Sequence, residues 1–164
     1  MSIPMPRELE WLAPLVVGER WPKSDETGLR ALGELWDQAA RQLMALASEI
    51  GPSVRGVLES VGGSVADGFA TFTRRLRASL PEMSDAAGRL GQFGKHTALQ
   101  IEYAKYMIIG MLSWTAFEIG QLAFWAPEAI PALISGARAI FMMIMKRLLV
   151  SIATGAAIGF GLDA

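Results

Sequence analysis

The chain has 164 residues, a formal net charge of −1, 52% hydrophobic and 19% charged residues, and no cysteine. Its length suits one domain with a real core. The near-neutral charge gives no basic footprint for nucleic acid, and without cysteine there is no disulfide framework, thiolate chemistry or Cys-based metal site. The charges are unevenly spread: residues 1–97 hold 11 Lys/Arg and 12 Asp/Glu, and residues 98–164 hold only 4 of each.

The first 23 residues form a Pro-rich lead. Pro4, Pro6, Glu8 and Glu10 stand where a Sec signal needs a basic start and a long apolar core, so export would use another route. A short apolar helix is predicted from Arg7 to Val17, with Pro14 cutting into it and Gly18 as its stop. Trp21-Pro22 then forces an extended link.

Ser24, followed by Asp25 and Glu26, predicts a helix start, with the serine as N-cap and acids in the first turn. From there Leu29, Leu32, Trp36, Leu43, Ala47 and Ile50 recur at helical spacing. Gly51-Pro52 predicts a kink, and the phase resumes to about Ser60. Gly62-Gly63 predicts a tight turn into a second helix, whose stripe runs Val65, Phe69, Phe72, Leu76 and Leu80 and closes at Pro81. The two helices read as an antiparallel hairpin over residues 24–80, with Trp36, Leu43, Phe69 and Phe72 predicted to pack it.

A third helix is predicted from about Ser84 to Trp125, with Gly88, Gly91 and Gly94 on one face where they permit close backbone approach. A fourth is predicted from about Pro131 to the glycines at 155, 159 and 161. The pair, residues 84–164, is strongly apolar from Ala98 onward. No alternating run or hairpin-turn dipeptide predicts a strand. The fold class is all-α: one helical domain over residues 1–164, with a long hairpin and two long apolar helices packed as a bundle.

No residues form a recognisable catalytic constellation. His96 is the single histidine and lacks a nucleophile partner, and Gly62-Gly63 has neither the Gly-Lys-Ser/Thr nor the preceding strand of a phosphate loop. The expectation is no enzyme, cofactor, metal site or small-molecule substrate. Glu102, Lys105, Glu118 and Arg138 interrupt apolar helices, where charges are costly unless paired or wet. Glu102 and Lys105 lie three apart and can meet on one face. Glu118 and Arg138 are candidates for a pair across the Pro127–Pro131 turn. Met107–Ala126 is long enough to span a bilayer, whereas Arg138, Lys146 and Arg147 divide Leu133–Leu162. A helical bundle is favoured over a water-lined membrane path.

The pattern Pro6-x-Glu8-Leu9-x-Trp11, Val16-Val17-Gly18-x-x-Trp21-Pro22-x-x-Asp25-Glu26, then Leu29-x-x-Leu32-x-x-x-Trp36-x-x-Ala39-Ala40 resembles the WXG-like N-terminal domain of actinobacterial polymorphic toxins and related type VII secretion substrates. Thr97 to Lys105 is similar to the third helix of that domain. The resemblance implies a non-enzymatic secretion or delivery module, secreted or attached to the cell envelope, that binds a helical-hairpin partner or self-associates. Two departures stand out. Val61-Gly62-Gly63 replaces Trp-x-Gly at the turn, and neither Tyr103 nor Tyr106 is followed four residues on by an acid. No toxin module is expected after Gly161. The alternative is a small integral membrane or pore-forming helical protein.

Overall fold

A computed structural model describes residues 3–18 and 21–159. It contains α1 (Ala13–Val16), α2 (Glu26–Ser60), α3 (Ser64–Trp125) and α4 (Ile130–Gly159), with 3₁₀ turns at Arg7–Leu9 and Pro127–Ala129. No strand occurs among the described residues, and the all-α class holds.

The lead forms less helix than Arg7–Val17 would give. Pro14 sits in the first turn of α1, where its missing N–H costs nothing. Gly18, at φ 63°, ends the helix, and its amide bonds the Ala13 carbonyl at 3.0 Å. The N-cap of α2 is Asp25, one residue later than the predicted Ser24. Its carboxylate accepts from the amides of Thr27 and Gly28, both at 3.1 Å, which frees Ser24 for another contact.

α2 runs through Pro52, as the resumed phase predicts. Gly63 takes φ 75° at the turn into α3, a backbone state that glycine adopts without strain. The predicted break at Pro81 does not form. One helix of 62 residues, about 93 Å long, passes through it. The reason lies in the buried side of α3. Thr73, Leu80, Ser84, Ala87, Gly91 and Ala98 keep helical phase across the proline. In addition, Ser84 Oγ donates to the Ala40 carbonyl of α2 at 2.9 Å. Packing on α2 outweighs one missing backbone bond.

α3 is therefore shared by two antiparallel hairpins. α2 lies along its first part and α4 along its second. The hairpins overlap where Leu29 of α2 packs on Ile101 and Ala104 of α3 and on Leu148 of α4. The lead closes the second hairpin: Leu9, Leu12, Val16 and Val17 are buried against Ile108 and Leu112 of α3 and Phe141 of α4. α4 is described as far as Gly159, and the last of the glycines predicted to end it, Gly161, is outside the described residues.

Candidate interaction surfaces

The seam between α2 and α3 is built from small residues. A Cβ on Gly33 would lie 2.7 Å from the Gly91 carbonyl, and one on Gly91 would lie 2.2 Å from Asp37 Oδ1 and 2.9 Å from the Gly33 carbonyl. A Cβ on Gly94 would touch the Leu29 carbonyl at 3.3 Å. Gly91 and Gly94 thus bring the two backbones together, whereas Gly88 faces open space. Polar ties flank the crossing: Lys95 pairs with Asp37, and Arg30 with Glu102 at 2.8 Å.

This close approach is local to the Gly33–Gly91–Gly94 crossing; toward the hairpin turn α2 brings Ile50, Val54 and Leu58 to α3, and the bulky side chains predicted to pack the hairpin are left largely uncovered. Phe72 is 62% and Trp36 39% exposed; Phe69 is also exposed and Leu43 is half-buried. Val65, Phe69, Phe72 and Leu76 follow one another at helical steps along α3 and form an uncovered apolar stripe. Near the hairpin turn no third helix reaches them, because α4 packs on the later part of α3.

The charged residues of the apolar helices sort differently from their sequence spacing. Glu102 does not pair with Lys105. Lys105 is fully buried, at 0% exposure, and meets Glu26, at 3% exposure, at 2.5 Å. Its ammonium also donates to the Ser24 carbonyl at 3.0 Å and lies 5.8 Å from the centre of the Trp21 ring. Neither Glu26 oxygen has a hydrogen bond of standard geometry, so the adjacent positive charge compensates its burial. Burial pushes the Glu26 carboxyl up. The Lys105 ammonium and nearby backbone amides more than reverse this, leaving it below its ordinary 4.5.

Arg138 does not reach Glu118. Its guanidinium donates twice to the Leu15 carbonyl, from Nε at 3.1 Å and Nη2 at 2.7 Å. Glu118 is half-buried on α3. Gly62 and Gly63 form the hairpin turn, and only Gly63 needs a positive φ. His96 is exposed and meets the Gln100 amide at 3.5 Å.

The far end of the α3–α4 hairpin carries the most exposed aromatic side chains, Phe124 at 88% and Trp125 at 90%, with Trp114 and Phe117 also exposed. Both helices are long and apolar enough to cross a membrane by length and composition. The accessible surface is 11037 Å². A compact monomer of 17.7 kDa would expose roughly 7,900 Å² by the usual scaling. The excess follows from two hairpins extending in opposite directions, each with an apolar face left open.

Nothing in the residue pattern points directly to the pair between Glu26 and Lys105, which are far apart in the chain. The usable signal was indirect: a lysine in an apolar run must be paired or wet. The burial of Leu9, Leu12, Val16 and Val17 was visible only as a short apolar run in a Pro-rich lead.

A family model described as a WXG100 like domain matches residues 2–149. No curated protein and no solved structure matches the chain.

Proposed function

The chain belongs to the WXG100-like domain family, and from that premise we propose that it is a non-enzymatic module of a type VII secreted, polymorphic-toxin-like protein. It acts by docking the α2–α3 hairpin onto a helical-hairpin partner or a second copy of itself. The observation that carries this reading is the stripe Val65, Phe69, Phe72 and Leu76, which stays exposed along the first turns of α3 although α2 runs beside it. Two helices with such a stripe bury it by completing a four-helix bundle. The secreted or envelope-associated location and the actinobacterial origin belong to the same proposal.

The test is Phe72→Asp in the full chain. It should leave the helical content and unfolding transition of the monomer near wild type, because Phe72 is outside the seam. It should abolish self-association or partner capture in light scattering, and export from a host with a type VII system should fall sharply. Undiminished association and export would overturn the reading.

A second reading, a small integral membrane or pore-forming protein, draws on Phe124, Trp125 and the two apolar helices. Resistance to alkaline carbonate extraction from membranes would favour it. A monodisperse protein without detergent would exclude it.

A further inference from the structure

We propose that the groove between α3 and α4 at Gln100, Tyr103, Arg147 and Ser151 binds a single-chain amphiphile with a carboxylate head, a fatty-acid-type anion. The groove encloses about 460 Å³ and is lined by those four residues together with Met107, Ile144 and the buried pair Ala104 and Leu148. That volume lies in the ordinary range for small-molecule sites.

Its lining is polarised along its length. Ala104 and Leu148 share one core cluster, so antiparallel packing sets Gln100 and Tyr103 near Arg147 and Ser151, and sets Met107 near Ile144. The first end holds a guanidinium, an amide and two hydroxyls; the second holds only apolar side chains.

The polar end is open to solvent, with Arg147 and Tyr103 exposed and Gln100 and Ser151 half-buried. Among the described residues no acid pairs with Arg147, since Glu102 is taken by Arg30 and Glu26 by Lys105. The hydroxyls of Tyr103 and Ser151 also lack a partner there, and the Gln100 amide meets only His96, at 3.5 Å. One guanidinium offers a forked pair of donors that matches a carboxylate and balances its single charge. A phosphate monoester, at about −1.5 to −2, would exceed the charge available.

In this proposal the alkyl path continues from the apolar end as a shallow trough along exposed helix surface, beyond the residues that line the groove. Helical steps carry the α3 face from Met107 to Gly110 and Trp114, and the α4 face from Ile144 to Ile140 and Gly136. A Cβ on Gly110 or Gly136 would meet nothing within 4 Å, so neither wall is filled at those positions. From Tyr103 to Trp114 the trough is about 16 Å long at helical rise, and Ile140 and Trp114 leave apolar surface along it. An alkyl chain anchored by its head at Arg147 would cover that surface.

The experiment is isothermal titration of the full chain with laurate below its micellar range, beside acetate and dodecyl maltoside. Laurate should bind and acetate should not; dodecyl maltoside, with the same tail and no charge, should bind at least tenfold more weakly. Arg147→Gln should weaken laurate more than tenfold and bring it level with the maltoside. Gly110→Leu, which fills the trough and leaves the head site intact, should also weaken laurate. Equal binding of the two amphiphiles, or laurate affinity unchanged in Arg147→Gln, would overturn the proposal. So would sedimentation with phosphatidylglycerol vesicles in the absence of laurate binding, which would assign this face to a bilayer. The groove lies away from the Phe72 stripe, so these results and those of the association test are independent.

Discussion

Replacing Lys105 by Met tests how the start of α2 is held to α3. The substitution keeps an unbranched apolar stem, one heavy atom shorter, and removes the charge. Lys105 is 0% and Glu26 3% exposed, so the pair belongs to the buried regime rather than to exposed pairs worth about 0–1 kcal/mol. At 2.5 Å and an effective dielectric of about 20, the gross attraction is roughly 7 kcal/mol, set against a desolvation cost of several kcal/mol per ion. Removing the lysine leaves Glu26 buried without its counter-charge and deprives the Ser24 carbonyl of a donor. The expected loss is about 3–5 kcal/mol, a drop in Tm on the order of 10 °C for a chain of this size. Glu26→Leu alone should cost a similar amount, because it strands the ammonium. The double variant should recover most of the loss, giving a coupling of at least about 2 kcal/mol in a urea-unfolding cycle. Single losses below about 1 kcal/mol, or simple additivity, would show that the pair is not buried as described.

The pH dependence follows from the same contact. The folded Glu26 carboxyl titrates below its ordinary 4.5, so the folded state binds this proton less readily than the unfolded chain. Its stabilisation is therefore complete above the unfolded value and is lost as pH falls through the lower folded one. Asp25 has the same sign, its carboxyl lowered foremost by the Gly28 amide. Unfolding midpoints should fall as pH drops below 4.5, and Glu26→Gln should flatten that decline.

The remaining predictions concern the seam and the lead. Gly33→Ala should destabilise by about 1–3 kcal/mol, because its Cβ would lie 2.7 Å from the Gly91 carbonyl; Gly68→Ala, into open space, should stabilise by about 0.5–1 kcal/mol through helix propensity. Thermal melts of the two variants check the pair of signs. Arg138→Met should cost about 0.5–1.5 kcal/mol by removing both donors to the exposed Leu15 carbonyl. Its effect should add to that of Glu118→Ala, and a coupled double variant would instead show that these two residues interact.

The sequence carried the class of fold and most helix positions, because those depend on periodicity within single elements. Leu29 to Ile50 and Ile101 to Leu112 each specify a helix locally. The continuity of α3 through Pro81 was hidden because the residues that hold it, Ser84, Ala87, Gly91 and Gly94, are small or polar and leave no hydrophobic signature. For the same reason the periodicity points to Trp36, Phe69 and Phe72 as the hairpin's packing, whereas all three are exposed. A seam that relies on backbone approach excludes large side chains, and they gather at its flanks. Sequence spacing likewise favoured Glu102 with Lys105, three residues apart on one helix. Tertiary packing instead gave each a partner in α2, Arg30 for the first and Glu26 for the second.

Two of the charges in the apolar helices have a common use. Lys105 of α3 donates to the Ser24 carbonyl, and Arg138 of α4 donates to the Leu15 carbonyl. Both carbonyls lie in the segment before α2, whose described residues include only four in α-helix and so leave many backbone acceptors without an α-helical partner. The surroundings are apolar: Leu12, Val16 and Val17 are buried against Ile108 and Phe141. A bare carbonyl beside such a surface is costly, and a long cationic side chain reaching from a neighbouring helix is one way to satisfy it. Lys105 and Arg138 therefore need no acid on the opposite apolar helix. They stitch the lead to the second hairpin, Arg138 at the middle of the segment and Lys105 at its end. Glu26, at the first position of α2, carries the charge that makes the fully buried Lys105 tolerable. The lead is thus a structural part of the domain, and Lys105 and Arg138 hold it.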